Sequence, residues 1–121
     1  IQSGVLFGSG SAQLDPAGET QLTDLAELLL DISADIPDDI RWVLRIDGHT
    51  DTRPINTPQF PSNWELSVAR AISVARYLID RGVSPNRLMA AGFGEFQPLV
   101  DRDSNDAYRA NRRIELKLTE R

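Results

Sequence analysis

The chain has 121 residues, 40 % hydrophobic and 26 % charged, with thirteen Lys and Arg, eighteen Asp and Glu, a formal charge of −5, one His and no Cys. The length fits one compact domain, residues 1–121, of ordinary globular composition; the acidic balance disfavours a nucleic-acid partner, and without cysteine neither a disulfide nor a thiolate metal site can be built. The longest apolar run, near residues 25–32, is broken by Glu27 and Asp31 and falls short of the ~20 residues of a membrane span, so a membrane would be met only through a segment outside this chain, which reads as a piece of a longer protein.

In chain order, "GVLF" at 4–7 reads as a short apolar strand closed by the Gly/Ser cluster at 8–11. Asp15 followed by Pro16 is a helix start, and Leu22, Leu25, Ala26, Leu29, Ile32 and Ile36 recur at helical steps until Pro37. "RWVLRID" at 41–47 alternates, with Trp42, Leu44 and Ile46 facing a core and Val43, Arg45 and Asp47 facing away. A loop with Pro54, Pro58 and Pro61 leads to a second helix, capped by Ser62 and ended by Gly82. Its expected core stripe is Trp64, Val68, Ala71, Ile72, Ala75, Leu78 and Ile79.

"RLMAAGFG" at 87–94 reads as a third strand, "NDAYRAN" at 105–111 as a helical turn, and "RRIELKL" at 112–118 as a closing strand. The order β-α-β-α-β-(short α)-β predicts an α/β (α+β) sandwich, a mixed sheet of about four strands with helices packed on it.

Candidate chemistry sits in "GHTDT", 48–52, directly after the second strand, at the end of an α/β sheet where ligands tend to bind. Gly48 allows close approach of a ligand or backbone, and Thr50, Asp51 and Thr52 bring hydroxyls and a carboxylate to the rim. Residues of this kind also bond turn backbone in most loops. One His without Cys is poor material for zinc, and His49 with Asp51 lacks a nucleophile motif. On the second helix, the assigned stripe puts Leu66, Arg70 and Tyr77 on a ridge away from the core, with Leu66 and Arg70 four apart and adjoining. An exposed Arg70 near an exposed Asp51 would offer one cation and one anion at a common rim, matching a zwitterion. "GFGEFQP" resembles a phosphate loop only weakly, and Phe93 and Phe96 are expected to pack. Glu19, Asp24, Glu27 and Asp31 give the first helix a solvated acidic face.

"GHTD", "NWELSVARA", "GVSPNRLMAAGFGEFQP" and "NRRIEL", in this order and spacing, resemble the peptidoglycan-binding domain shared by OmpA, the lipoprotein Pal and the flagellar stator protein MotB. The likeness runs from Phe7 to Leu118, and "SNWELS" with the long proline-containing loop before it is closer to MotB-like members than to the shorter-looped OmpA and Pal members. It implies a periplasmic, non-enzymatic anchor without cofactor or metal, gripping the meso-diaminopimelate of the cell-wall peptide stem. By the resemblance, Asp51 takes the ligand ammonium and Arg70 its carboxylate, Leu66 lines the pocket, Arg112 helps on the opposite rim, and Thr50 and Thr52 flank the aspartate. Family members commonly carry an Asp and a polar residue after the first Phe, where this chain has Gly8-Ser9-Gly10; Ser9 or backbone N–H groups take that place. The usual Gly-Arg before "A-x-N-R-R" reads Ala107-Tyr108, and Asn111 and Arg113 are as suited to bracing the fold as to touching ligand. Two other readings are a protein-interaction module, including a homodimer, and a wall hydrolase using His49 and Asp51.

Overall fold

The computed structural model describes residues 1–120. The elements are α1 (Ser3–Leu6), α2 (Pro16–Asp35), β1 (Trp42–His49), α3 (Asn63–Asp80), a 3₁₀ turn (Pro85–Arg87), β2 (Leu88–Gly92), α4 (Asn105–Asn111) and β3 (Arg113–Glu120). The sheet has the order β2-β1-β3. β2 lies parallel to β1, with Gly48 opposite Gly92, as the strand-helix-strand order predicts. β3 runs antiparallel to β1, pairing Gly48 with Ile114 and His49 with Arg113. The mixed α+β architecture is the expected one, with three strands in place of about four.

The missing strand is "GVLF". Gln2 forms a lone antiparallel bridge to Arg113, but the chain then coils, and the residues buried are Ser3 and Leu6, three apart as on a helix. Val5 and Phe7 favour a strand and Gly4 weakens one, but one helical turn suffices to bury Leu6 and Phe7 in the core.

That core lies between the helices and one sheet face. Leu22, Ala26 and Leu29 of α2 and Ala71, Val74 and Leu78 of α3 meet Leu44, Ile46 and Ile114 of the sheet. Helix ends follow sequence signals: Pro16 is the first residue of α2 and Asp15 occupies its N-cap position, although its carboxylate makes no capping bond. Ser62 Oγ accepts the Trp64 N–H, and Gly82 follows α3 at φ 105°. β1 is buried along almost its whole length, not on one face only. Its second face carries Arg45, Asp47 and His49 opposite Lys117, Glu115 and Arg113, and these long side chains cover one another: Arg45 grips Asp47 through Nε and Nη2 at 2.8 Å, leaving Asp47 0 % exposed.

α3 is turned relative to the sequence expectation. Trp64, Val68, Ile72 and Ile79 are each more than a third exposed, whereas Leu66, Ser67, Arg70, Ala71, Val74 and Leu78 are buried. The glycines of β1 and β2 set this orientation. A Cβ on Gly48 would fall 2.1 Å from the Ser67 carbonyl oxygen, and one on Gly92 would fall 2.3 Å from Val68 Cγ2. The helix therefore rests on the sheet through Ser67, with Leu66 and Arg70 rolled toward the sheet end.

Candidate functional site

An open cleft of about 700 Å³ lies where the ends of α1, β1, α3 and α4 meet, and its lining includes Ser9, Thr50, Asp51, Leu66, Arg70 and Arg112. Six of the seven sequence-marked residues are thus gathered in one place. Thr52 is exposed and lies outside that lining.

Arg70 and Asp51 are buried, at 4 % and 5 % exposure, not exposed as the sequence suggests. Arg70 extends from α3 beneath the segment that follows Phe7. Its Nε donates to the Ser11 carbonyl at 2.8 Å and its Nη2 to the Gly8 carbonyl at 3.2 Å, while its guanidinium lies 5.1 Å from the Phe7 ring centroid. One turn along, Ser73 Oγ donates to the Ala12 carbonyl at 2.6 Å. Arg70 thereby shapes the glycine-rich first loop from below. Burial, followed by the nearby Arg112 charge, pushes its pKa down to about 10, with Asp51 opposing; it stays a cation at neutral pH. Nη1 makes no hydrogen bond among the described residues.

Asp51 follows β1, placed by the Thr50 N–H, which donates to the Gly94 carbonyl at 2.9 Å. Asn63, the first residue of α3, donates through Nδ2 to the carbonyls of Asp51 and Arg53 at 3.3 and 3.1 Å, fixing the turn to the helix. The Asp51 carboxylate accepts the Arg53 backbone N–H at Oδ1, 2.8 Å. At Oδ2 it accepts Arg53 Nε and Nη2 at 3.2 and 2.9 Å and Arg112 Nη1 at 2.7 Å. Burial alone would raise its pKa; the bonds from Arg53 and Arg112 outweigh that and hold the carboxyl below its ordinary value.

Arg112 is delivered by the junction of α4 and β3. Ser104 Oγ caps α4 on the Ala107 N–H, and Asn111 ties α4 to the preceding loop through Leu99 N, Val100 N and the Val100 carbonyl, each at 2.8 Å. Arg113 points away, bonding the Gln97 and Asn111 carbonyls and the Glu115 carboxylate. Asn111 and Arg113 brace the scaffold. Ala107 is buried, and the Tyr108 ring beside it receives the Arg53 guanidinium at 4.8 Å.

Arg53, Asn63 and Asp15 also line the cleft and are not among the sequence-marked residues. The Asp-x-Arg spacing after a strand was a usable signal for Arg53, since a turn returns i and i+2 side chains to one another; Asn63 and Asp15 carried only helix-start signals. Ser3, likewise unmarked, lines the cleft with a buried Oγ that has no partner among the described residues. His49 is not in the cleft lining. It stacks on Phe93 at 4.9 Å and 6°, with Nε2 3.6 Å from Glu115, so the structure does not assemble a His49–Asp51 pair. No group of three metal-ligating side chains occurs among the described residues.

These features define a class: a small two-layer α+β binding domain whose open cleft presents three guanidiniums and two carboxylates around one apolar wall. Within it, the OmpA family model matches residues 6–112, and the chain belongs to the OmpA family. Motility protein B of Bacillus subtilis is 30 % identical over 122 residues, covering 100 % of this chain and 44 % of that protein. The solved structure of a putative MotB-like protein from Desulfovibrio vulgaris superposes with a TM-score of 0.87 at 33 % identity, over 100 % of this chain and 73 % of that one. The cell wall anchor of the T6SS from Pseudomonas aeruginosa gives 0.84 at 31 %, over 99 % and 78 %. The chain spans about half the length of the curated relatives that it matches over nearly its whole extent. No described helix is long and apolar enough to cross a membrane.

Proposed function

We propose that this domain is a non-enzymatic anchor in the bacterial envelope, on the periplasmic side, that holds the protein carrying it to the cell wall by non-covalent binding of peptidoglycan at the meso-diaminopimelate of the peptide stem. The observation that carries this reading is a buried guanidinium and a buried carboxylate, Arg70 and Asp51, lining one open cleft. A diaminopimelate side chain ends in an amino-acid head with both charges. Its carboxylate suits the free Nη1 of Arg70, and its ammonium suits Oδ1 of Asp51, which accepts only one backbone N–H and has lone-pair capacity left. Leu66 offers the apolar contact for the methylene chain, Arg112 closes the opposite rim, and Ser9 and Thr50 supply hydroxyls. Likeness to a cell wall anchor of solved structure supports the cell wall as the partner.

Both charges pre-exist as buried, bonded groups, so the ligand enters a site whose desolvation cost is already met in folding. Co-sedimentation with purified sacculi is the test. The wild-type chain is expected to pellet with the wall and release no soluble fragments, and free meso-diaminopimelate is expected to compete. Asp51→Asn and Arg70→Lys, each checked for native circular dichroism, are expected to weaken binding by about tenfold or more, the loss of one charge-assisted contact. Undiminished pelleting of both folded variants would sink the assignment, and released muropeptides would point to a hydrolase.

A further inference from the structure

Arg53 is outside the zwitterion pair proposed above, yet its guanidinium stands at the cleft. Arg53 Nη2 and Arg112 Nη1 reach the same oxygen, Asp51 Oδ2, at 2.9 and 2.7 Å. Two cations converge on one carboxylate oxygen, and Arg70 lies near enough for Arg112 to disfavour its charge. The charged groups lining the cleft are Arg53, Arg70 and Arg112 against Asp15 and Asp51. That is a positive surplus of one, on a chain with a formal charge of −5. A zwitterionic head carries no net charge and leaves the surplus in place; an additional anion beside Arg53 and Arg112 would relieve the repulsion between them.

The donor inventory agrees. A guanidinium has five N–H donors, and Arg53 Nη1, Arg112 Nε and Nη2, and Arg70 Nη1 make no hydrogen bond among the described residues. These donors fall into two sets. Arg70 is 4 % exposed beneath the first loop, whereas the Arg53 and Arg112 side chains are 54 % and 30 % exposed at the rim. Arg53 is also held in position before any ligand arrives, by Asp51 on one side and the Tyr108 ring at 4.8 Å on the other, so little ordering entropy remains to be lost.

We infer that the cleft receives two carboxylates of the stem: the diaminopimelate carboxylate at Arg70, and the α-carboxylate of the adjoining glutamyl residue on the rim between Arg53 and Arg112. Arg53 is then the residue that distinguishes a stem with a free glutamyl carboxylate from one in which it is amidated. This rests on the diaminopimelate reading of the same cleft.

The probes are two tetrapeptide stems, L-Ala-γ-D-Glu-meso-diaminopimelyl-D-Ala and its D-isoglutamine counterpart, which differ in one carboxylate. Binding of each to the wild-type chain and to Arg53→Gln is measured by calorimetry at low salt, with competition against sacculi. The wild type is expected to prefer the free acid by roughly tenfold, the size of one charge-assisted contact, and Arg53→Gln to shrink that ratio toward one. Equal affinity of the wild type for both stems overturns the second carboxylate site while the diaminopimelate reading stands. A preference that persists undiminished in Arg53→Gln overturns the role of Arg53. If neither stem binds or competes, the diaminopimelate reading fails and this inference with it.

Discussion

Arg70 is a ligand candidate that also holds the fold, and its two tasks separate by atom. Nε and Nη2 are occupied by the Ser11 and Gly8 carbonyls, a planar fork that a lysine ammonium cannot reproduce. Arg70→Lys is therefore expected to destabilise the domain by about 1.5–3 kcal/mol, the range for a hydrogen bond to a charged group, read as a lower urea midpoint. Asp51 gives a different signature. Its folded pKa lies below the ordinary 3.8, so its contribution is complete above that value and is lost as pH falls through the folded pKa. Urea midpoints measured downward from pH 5 should thus drop below about 3.8, and Asp51→Asn should make that drop shallower. Glu115, also lowered through its bond from Arg113 although burial opposes, supplies the slope that remains. An unchanged slope in Asp51→Asn contradicts the ion-pair account.

At the scale of elements, the rotation of α3 shows what periodicity cannot see. Trp64, Val68, Ile72 and Ile79 form the better apolar stripe, yet the face that packs contains Ser67, Arg70 and Asn63. A helical wheel scores hydrophobicity; it does not know that Gly48 and Gly92 leave room only for a close helix or that buried polar side chains will find partners. Ser67 does so, accepting the Gly94 N–H at 3.0 Å. The motif positions stayed legible because they depend on strand ends and helix starts, which turn chemistry marks well. Gly48→Ala or Gly92→Ala is expected to cost about 1–3 kcal/mol or more, as overpacking does, because the new methyl meets the backbone of Ser67 or the Ser67 and Val68 atoms that lie against Gly92. Gly8→Ala, with open space around its Cβ position, should stay within about 0.5 kcal/mol. Thermal melts of the three variants compare these directly, and equal melting temperatures would remove Gly48 and Gly92 as the spacers that set α3.

For the whole molecule, the cleft is made largely by contacts between parts of the chain far apart in sequence, so the places of Asn63 and Asp15 in it, and the helical turn of the first segment, are not legible from local pattern. Residues 1–3 are stitched to the start of β3: the Ile114 N–H donates to the Ile1 carbonyl and the Ser3 N–H to the Arg112 carbonyl, both at 2.8 Å. The second bond fixes the backbone of a cleft arginine, and α1 then carries Ser3 and Gly4 to the same wall. The first segment and the cleft should accordingly lose order together. Removing residues 1–4 deletes these two bonds together with that from the Ile1 nitrogen to the Ile114 carbonyl at 2.8 Å, and is expected to cost roughly 1.5–4.5 kcal/mol at about 0.5–1.5 kcal/mol each, a large fraction of the stability of a domain this size. Hydrogen exchange locates the effect: the Ile114 amide should lose protection, while the Val83 amide, bonded to the Leu78 carbonyl at the end of α3, should change far less. Binding to sacculi should fall with Ile114 protection, since Arg112 loses its backbone anchor while its side chain still reaches Asp51. Full protection of Ile114 without residues 1–4 would mean that β3 holds Arg112 unaided and that the first segment only covers the core.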